Sequence, residues 1–416
     1  MAAKKLKALY RLLHLDLAVS FLCRVVWRRI DRRKVVFANW IGGGCRCNLK
    51  YIAFGVRARI PDADIVWLVD PAAVDPVGEF PAGTRLVPYG GLKALRELAT
   101  CRVWVNNAVN GYYINEGFRK KPGQAYIQTW HGSLGIKRIG FDYCEGQSIN
   151  AYRRTIRGKD AAMLDYLITN SEFEAEIFRR QWYGKGEMKY FGHPRNDILF
   201  SPERDGLLRK VRQRYGIPEG RRLVLFAPTF RESKNAKREA FDYALRQSDL
   251  LASLAARFGG EWAFLVRYHI NDRRLRDGIP EPEGVIDATD YPDMQELMVA
   301  TDVLVTDYSS CIYDFVFTGR PGFIYARDLE EYDTIRGFYY PIETTPFPIA
   351  RTSEALCAAV RAFDEAKYRA GVEAFLKGKG CVEDGHATER VVDLIAGLLA
   401  EPTAGARESR EGGVCR

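Results

Sequence analysis

Short β-branched and aromatic runs alternate with helix-patterned stretches from residue 35 to about residue 375, and this alternation confines the chain to the α/β class. Candidate strands lie at 35–41, 65–69, 103–105, 125–129, 166–169 and 189–192. A second series follows at 223–227, 263–266, 284–286, 303–306 and 322–325. Helix patterns occupy 172–181, 240–257, 294–300 and 311–318. Strands joined through helices build parallel sheets flanked by helices. Two series predict two Rossmann-like halves, and 416 residues suffice for both. The boundary is expected within 201–221, where proline, glycine and charged residues gather around a short helix. A last helix at 387–400 carries Val391, Val392, Leu394, Ile395, Leu398 and Leu399 and must bury a face. The tail from Pro402 is small, polar and charged, and is expected to be disordered.

Charge is unevenly placed. Residues 1–34 hold ten basic and two acidic side chains, which is +8 of the chain's +9. The remaining body is close to neutral, so no nucleic-acid partner is expected. Leu6, Leu9, Tyr10, Leu13, Leu17 and Phe21 recur at helical spacing, with Lys4, Lys7 and Arg11 on another face. Such a helix either packs on the body or lies in the interface of an anionic membrane, and the second is expected. No apolar run reaches the length of a bilayer span, and no cleavable signal peptide is evident. The nine cysteines lack paired CxxC spacing and read as reduced thiols.

Familiar nucleotide and metal motifs are absent: no GxxxxGK[ST], no GxGxxG and no HExxH. Asp62-Ala63-Asp64 follows Pro61 and reads as a turn. Histidine is scarce, and three of the five occur in motifs at strand ends and loops: His131, His193 and His269. Strand ends are where α/β proteins keep their chemistry. In Trp130-His131-Gly132 the histidine is either a structural cap or a base for an attacking hydroxyl. Lys137 and Arg138 can hold a phosphate-bearing acceptor or be a solvated loop. Gly42, Gly43 and Gly44 after the first strand can let backbone N–H groups approach an anion or form a loose turn. Arg267 and His269 end a strand of the second half and suit a diphosphate. Asp307, Ser309 and Ser310 open a helix, where N-capping and phosphate binding can coexist. Thr229 and Arg231 close another strand, and Arg231 can serve the diphosphate or a surface salt bridge, of which the first is expected.

Together these segments resemble the CDP-glycerol glycerophosphotransferase family of teichoic-acid primases, polymerases and capsule-synthesis relatives. The resemblance covers roughly residues 35–398. It is carried by residues 128–132, by Asn170-Ser171 and by Gly192-His193-Pro194-Arg195-Asn196-Asp197. It continues through residues 227–231, Arg267-Tyr268-His269, residues 306–310, Arg320-Pro321, Tyr325, residues 328–330, Tyr332, residues 336–339 and Asp384-Gly385.

The resemblance implies a GT-B-like fold, two Rossmann-like domains with parallel sheets facing a central cleft and a C-terminal helix crossing back. It makes residues 35–205 an acceptor domain, 206–380 a CDP-donor domain and 381–400 the crossover helix, between a basic segment 1–34 and the tail 401–416. The implied reaction transfers polyol phosphate from CDP-glycerol, or a similar CDP-polyol, to a hydroxyl of a lipid-linked or glycan acceptor and releases CMP. His131 is then the candidate base and His269 a diphosphate ligand or acid. Arg267, Asp307, Ser309, Ser310, Arg231 and Thr229 form the donor set, and Lys137, Arg138 and Gly42–Gly44 the acceptor set. Trp130, Pro194, Arg195 and Asp197 support the site. The expected place is the cytoplasmic face of the membrane, peripherally. No carboxylate cluster suits magnesium, so neither metal nor other cofactor is expected. Residues 133–138 depart from the family's Thr-Pro-Leu-Lys-Lys pattern, which leaves the acceptor open. The alternatives are a GT-B glycosyltransferase using a nucleotide sugar and an inactive membrane-attached scaffold.

Overall fold

The computed structural model describes residues 15–70, 80–142, 151–182, 184–202, 204–229, 245–269 and 282–401. Residues 1–14, Arg231, the start of the helix expected at 240 and the tail from 402 lie outside them.

Two compact units account for the chain. The first comprises Met1–His131, Ile149–Asp197 and Val382–Arg416, and the second Gly132–Ser148 and Ile198–Cys381. The division differs from the expected one in two ways. It falls at Asp197 rather than 205, and a segment starting directly after His131 folds with the second unit.

In the first unit, seven strands form one sheet in the order β3-β2-β1-β4-β5-β6-β7. They are β1 (Asp31–Ala38), β2 (Asp64–Val69), β3 (Arg85–Pro88), β4 (Cys101–Asn106), β5 (Ala125–Gln128), β6 (Tyr166–Thr169) and β7 (Glu187–Tyr190). Every pairing is parallel. The central strands are apolar without alternation because helices cover both faces. The helix Cys47–Arg59 presents Leu49, Ile52, Ala53 and Val56 to Val35, Phe37, Ile65 and Trp67. The terminal helix Ala387–Ala400 joins this core through Val391, Val392, Ile395 and Leu398. Gly55 makes that packing possible, since a Cβ there would lie 2.7 Å from Cγ2 of Val392. β1 starts at Asp31, inside the basic segment expected to be helix up to residue 34.

The second unit repeats the plan with six parallel strands, β10-β9-β8-β11-β12-β13. They are β8 (Arg222–Ala227), β9 (Trp262–Val266), β10 (Val285–Asp287), β11 (Val303–Thr306), β12 (Gly322–Tyr325) and β13 (Ile349–Ala350). The strand order of each sheet reverses once, between β1 and β4 and between β8 and β11. In open α/β sheets, ligands bind beyond the carboxyl ends of the strands at such a switch point.

Candidate functional site

In the first unit, the chain leaving β1 meets the chain leaving β4. Asn107 donates through Nδ2 to Oδ1 of Asn39 at 2.6 Å, and its own Oδ1 accepts from the Trp40 N–H at 2.8 Å. Both asparagines are buried. Asn39 also donates to the Gly44 carbonyl at 2.7 Å, and its carbonyl accepts the Gly43 N–H at 2.7 Å. The glycine loop therefore folds back on Asn39 as a closed turn, with the Gly43 N–H already engaged. Gly42 sits at φ +81°, and a Cβ there would lie 2.5 Å from the backbone nitrogen of Asp70. Only glycine fits that contact.

His131 stands beside this turn. Its Nδ1 lies 2.6 Å from the Asn107 carbonyl oxygen. A carbonyl only accepts, so Nδ1 carries the hydrogen and Nε2 is the basic nitrogen of this tautomer. The ring is held between the indoles of Trp40 and Trp130, with centroids at 4.4 and 4.1 Å. Trp130 packs on Trp182, and its backbone N–H donates to Oε1 of Gln128 at 2.9 Å. Trp40, Cys47 and Trp130 all take left-handed φ values although none is glycine. Such strain persists only where surrounding contacts over-determine it, and it gathers at functional sites.

Arg195 anchors the same strand end. Its Nη1 donates to the His131 carbonyl at 2.6 Å, and its N–H to Oδ1 of Asn48 at 3.1 Å. Asn48 in turn donates to the carbonyls of Thr129 and Trp130. Asp197 accepts the Ala387 and Thr388 N–H groups at 3.0 and 2.7 Å and so caps the terminal helix, while the Pro194 carbonyl accepts from the Thr388 hydroxyl. His193 is buried and bonds Oε2 of Glu174 at 2.9 Å. Burial works against its charge, but Glu174 and Glu383 together outweigh burial and raise its pKa. Oε1 of Glu383 accepts the His193 N–H at 3.0 Å, Nδ2 of Asn170 at 3.1 Å and Nδ2 of Asn196 at 2.8 Å. Arg195 thus holds the His131 backbone, and Pro194 and Asp197 dock the last helix.

In the second unit, the ends of β8, β9 and β11 adjoin. Asp307 is buried, and its carboxylate accepts the Thr229 N–H at 2.9 Å, the Thr229 hydroxyl at 2.5 Å and the Tyr308 N–H at 2.6 Å. Asp307 and Thr229 therefore tie two strand ends together, a role the sequence did not suggest. Arg267 donates through Nη1 to the Tyr291 and Ala288 carbonyls at 2.6 and 3.4 Å, which holds the turn after β10. Ser309 and Ser310 are half-buried at the start of the short helix Cys311–Phe315. Tyr308 stacks on Tyr332 at 4.1 Å and donates to Asp328.

Lys137 and Arg138 belong to this second unit. Arg138 donates its N–H to the Gly337 carbonyl at 2.9 Å and Nε to the Phe338 carbonyl at 3.0 Å. Lys137 bridges to Phe338, and the Tyr339 N–H donates to the Ile136 carbonyl at 2.8 Å. A Cβ on Gly135 would lie 3.4 Å from Cβ of Ser310. Burial, and then the Lys137 charge, depress the His269 pKa, which leaves a neutral imidazole at neutral pH. The sequence had grouped the basic pair with the acceptor side because it follows His131 closely. Its backbone pairs instead with residues 337–339, so it folds with the serines and His269. Arg231 lies outside the described residues.

The chain matches the family described as CDP-glycerol:poly(glycerophosphate) glycerophosphotransferase over residues 20–397. It is 30% identical over 376 residues to the teichoic acid poly(glycerol phosphate) polymerase of Bacillus subtilis (strain 168), covering 88% of this chain and 49% of that protein. It therefore spans about half the length of that relative. The protein of the same description from Bacillus spizizenii (strain ATCC 23059 / NRRL B-14472 / W23) is 28% identical over 375 residues, covering 88% of this chain and 93% of that one. The solved wall teichoic acid polymerase TagF superposes with a TM-score of 0.77 at 26% identity, over 96% of this chain and 98% of that one.

Proposed function

This chain belongs to the CDP-glycerol:poly(glycerophosphate) glycerophosphotransferase family, and from that premise we propose that it transfers glycerol phosphate from CDP-glycerol to an acceptor hydroxyl and releases CMP. The observation that carries the proposal is the 2.6 Å contact between Nδ1 of His131 and the Asn107 carbonyl oxygen. A histidine at a strand's carboxyl end, with Nδ1–H fixed on the Asn107 carbonyl, offers Nε2 to a hydroxyl proton.

The acceptor oxygen attacks the phosphorus of the glycerol phosphate group as its proton passes to Nε2 of His131. The bond from that phosphorus to the bridging oxygen breaks, and that oxygen leaves on CMP. CMP departs as a stable anion and needs no proton. The neutral His269 therefore serves as a hydrogen-bond donor to the diphosphate rather than as an acid. Ser309 and Ser310 add hydroxyl donors, and Lys137 adds charge near His269. Asp307, Thr229 and Arg267 hold the strand ends that carry these groups. Arg231 is assigned to the diphosphate as well. The acceptor is a lipid-linked or glycan hydroxyl in teichoic-acid-like polymer synthesis, approached along the Gly42–Gly44 turn.

Membrane attachment is peripheral, through residues 1–34 at the cytoplasmic face. Among the described residues no helix is long and apolar enough to cross a membrane.

The test is CMP release from CDP-glycerol and from CDP-ribitol, each with a panel of lipid-linked acceptor analogues. Acceptor-dependent CMP from one donor, lost in His131→Ala, is the expected result. Sugar transfer from a nucleotide sugar would overturn it in favour of a glycosyltransferase, and failure to bind either CDP-polyol would favour the scaffold.

A further inference from the structure

A polar cavity lies in the first unit, at the opposite end of the strands from His131. It has a volume of about 570 Å³ and is bounded by Arg29, Lys34, Arg85 and Arg96, with Asp31 and Glu97 as its acids. The four basic groups come from separate places: the turn before β1, β1 itself, the start of β3, and the helix Gly91–Thr100. Two of them are committed. Lys34 lies 2.8 Å from Glu97. Arg85 forks across Asp64 and Glu97, with Nη2 at 2.7 and 3.1 Å from their oxygens. Glu97 is thus neutralised from within, and Asp31 accepts the Arg33 backbone N–H. Arg29 and Arg96 are exposed and enter no ion pair among the described residues. The cavity therefore keeps a net positive charge with two uncommitted forked donors, the donor chemistry that a phosphate oxygen recognises.

An apolar stripe runs up to it. The helix Leu15–Phe21 continues into a π-helical turn, Leu22–Val26, that packs against the helix Gly91–Thr100. Val19 and Cys23 face inward and are buried. Leu17, Phe21 and Val25, each four residues from the next, point outward at 64%, 58% and 53% exposure. Leu92, one turn before Arg96, is 59% exposed. Arg24, Arg28 and Arg32 are exposed around the stripe. Adjacent apolar and cationic surface is the pattern of an element lying in a lipid interface. A free anion would account for the cavity but not for the stripe.

We propose that this cavity seats the phosphate of an anionic phospholipid headgroup while Leu17, Phe21 and Val25 enter the acyl boundary beside it. The inference rests on the reading that residues 1–34 contact an anionic membrane, and it extends the contact to Arg96 on a separate helix. It also orients the first unit. The cavity lies at the amino ends of β1 and β3, whereas His131 follows the carboxyl end of β5. A strand of eight residues such as β1 spans about 26 Å. Headgroup binding and proton transfer therefore occupy opposite ends of the strands of one sheet.

The test is sedimentation of the full chain with vesicles of phosphatidylcholine alone and of phosphatidylcholine mixed with phosphatidylglycerol. The variants are Arg29→Gln/Arg96→Gln and, separately, Lys4→Gln/Lys7→Gln/Arg11→Gln. Unchanged circular dichroism and melting temperature serve as the folding control. Binding to the mixed vesicles is expected to fall about tenfold or more in the cavity variant, since each arginine near such a surface contributes roughly 1 kcal/mol. Full binding by the cavity variant with loss in the other variant would overturn the cavity and leave the N-terminal reading standing. No binding of the unmodified chain to either vesicle would overturn both. Calorimetric binding of sn-glycerol 3-phosphate, lost in the cavity variant while vesicle binding persists, would assign the cavity to a free phosphate and overturn the lipid.

Discussion

The Asn107 backbone carbonyl lies 2.6 Å from Nδ1 of His131, and the side chain of the same asparagine is bonded to Asn39 at 2.6 Å. One residue thus sets the imidazole tautomer and ties that setting to the first strand's exit. A base presented this way contributes roughly 10²–10⁴-fold to proton removal. His131→Ala should lower kcat for CMP release by that range and leave the affinity for CDP-glycerol within a few-fold. Calorimetry for binding and single-turnover CMP release separate the two. An unaltered kcat would remove His131 from the reaction.

Asn39→Ala tests the support rather than the base. It strips Asn107 of its side-chain acceptor and the Gly44 carbonyl of its donor, both in a buried setting. Unpaired buried groups cost roughly 1–3 kcal/mol each. A lower melting temperature is expected, with a fall in kcat larger than any change in KM. Asn39→Asp keeps the acceptor for Asn107 and should recover part of the kcat. Recovery would separate positioning of the imidazole from simple loss of fold.

The strand and helix pattern was legible because parallel strands buried on both faces leave uninterrupted apolar runs. The strands at 166–169, 303–306 and 322–325 and the helices at 172–181, 294–300 and 387–400 were bounded from sequence as they occur. β3 was not read, because Arg85-Leu86-Val87-Pro88 is a short, half-exposed edge strand ending in proline. β13 has two residues and no periodicity to detect. That His131, His269 and the two serines follow the carboxyl ends of strands was legible from the sequence. The Asn39–Asn107 pair was not, since its partners are far apart in sequence and meet only across the switch point. The membership of Lys137 was hidden for a related reason. The chain passes from one unit to the other directly after His131, and only pairing with Phe338 reveals it.

His269 offers a direct electrostatic test. Its depressed pKa comes first from burial and then from Lys137. Lys137→Gln removes a positive charge and should move the pKa up toward the ordinary histidine value, read from the pH titration of the His269 ring protons by NMR. Bound CDP should also raise it, because a diphosphate anion favours the charged ring. No displacement in either case would place His269 away from both Lys137 and the donor.

Glu383 links proton binding to stability. Burial pushes its carboxyl from 4.5 up to about 7, against the opposing influence of His193, Asn196 and Asn170. In the unfolded chain the same group loses its proton near 4.5. Between about 4.5 and 7 the folded chain therefore holds the extra proton, and stability falls as pH rises through that window. At about 1.4 kcal/mol per unit, the loss from this group is on the order of 3 kcal/mol by pH 8. Glu383→Gln keeps an oxygen acceptor for the His193 N–H, Asn170 and Asn196 but cannot ionise. Its denaturant midpoint, compared with the unmodified chain at pH 5 and pH 8, should show a smaller fall on raising pH. The comparison of slopes is insensitive to any fixed cost of the substitution. Because Glu383 lies just after the chain re-enters the first unit at Val382, the same ionisation should loosen the attachment of the terminal helix. Faster amide exchange in Ala387–Ala400 at pH 8 than at pH 5, after correction for intrinsic rates, is expected for the unmodified chain and not for the variant. Equal slopes and equal exchange in both proteins would show that Glu383 stays ionised across this range.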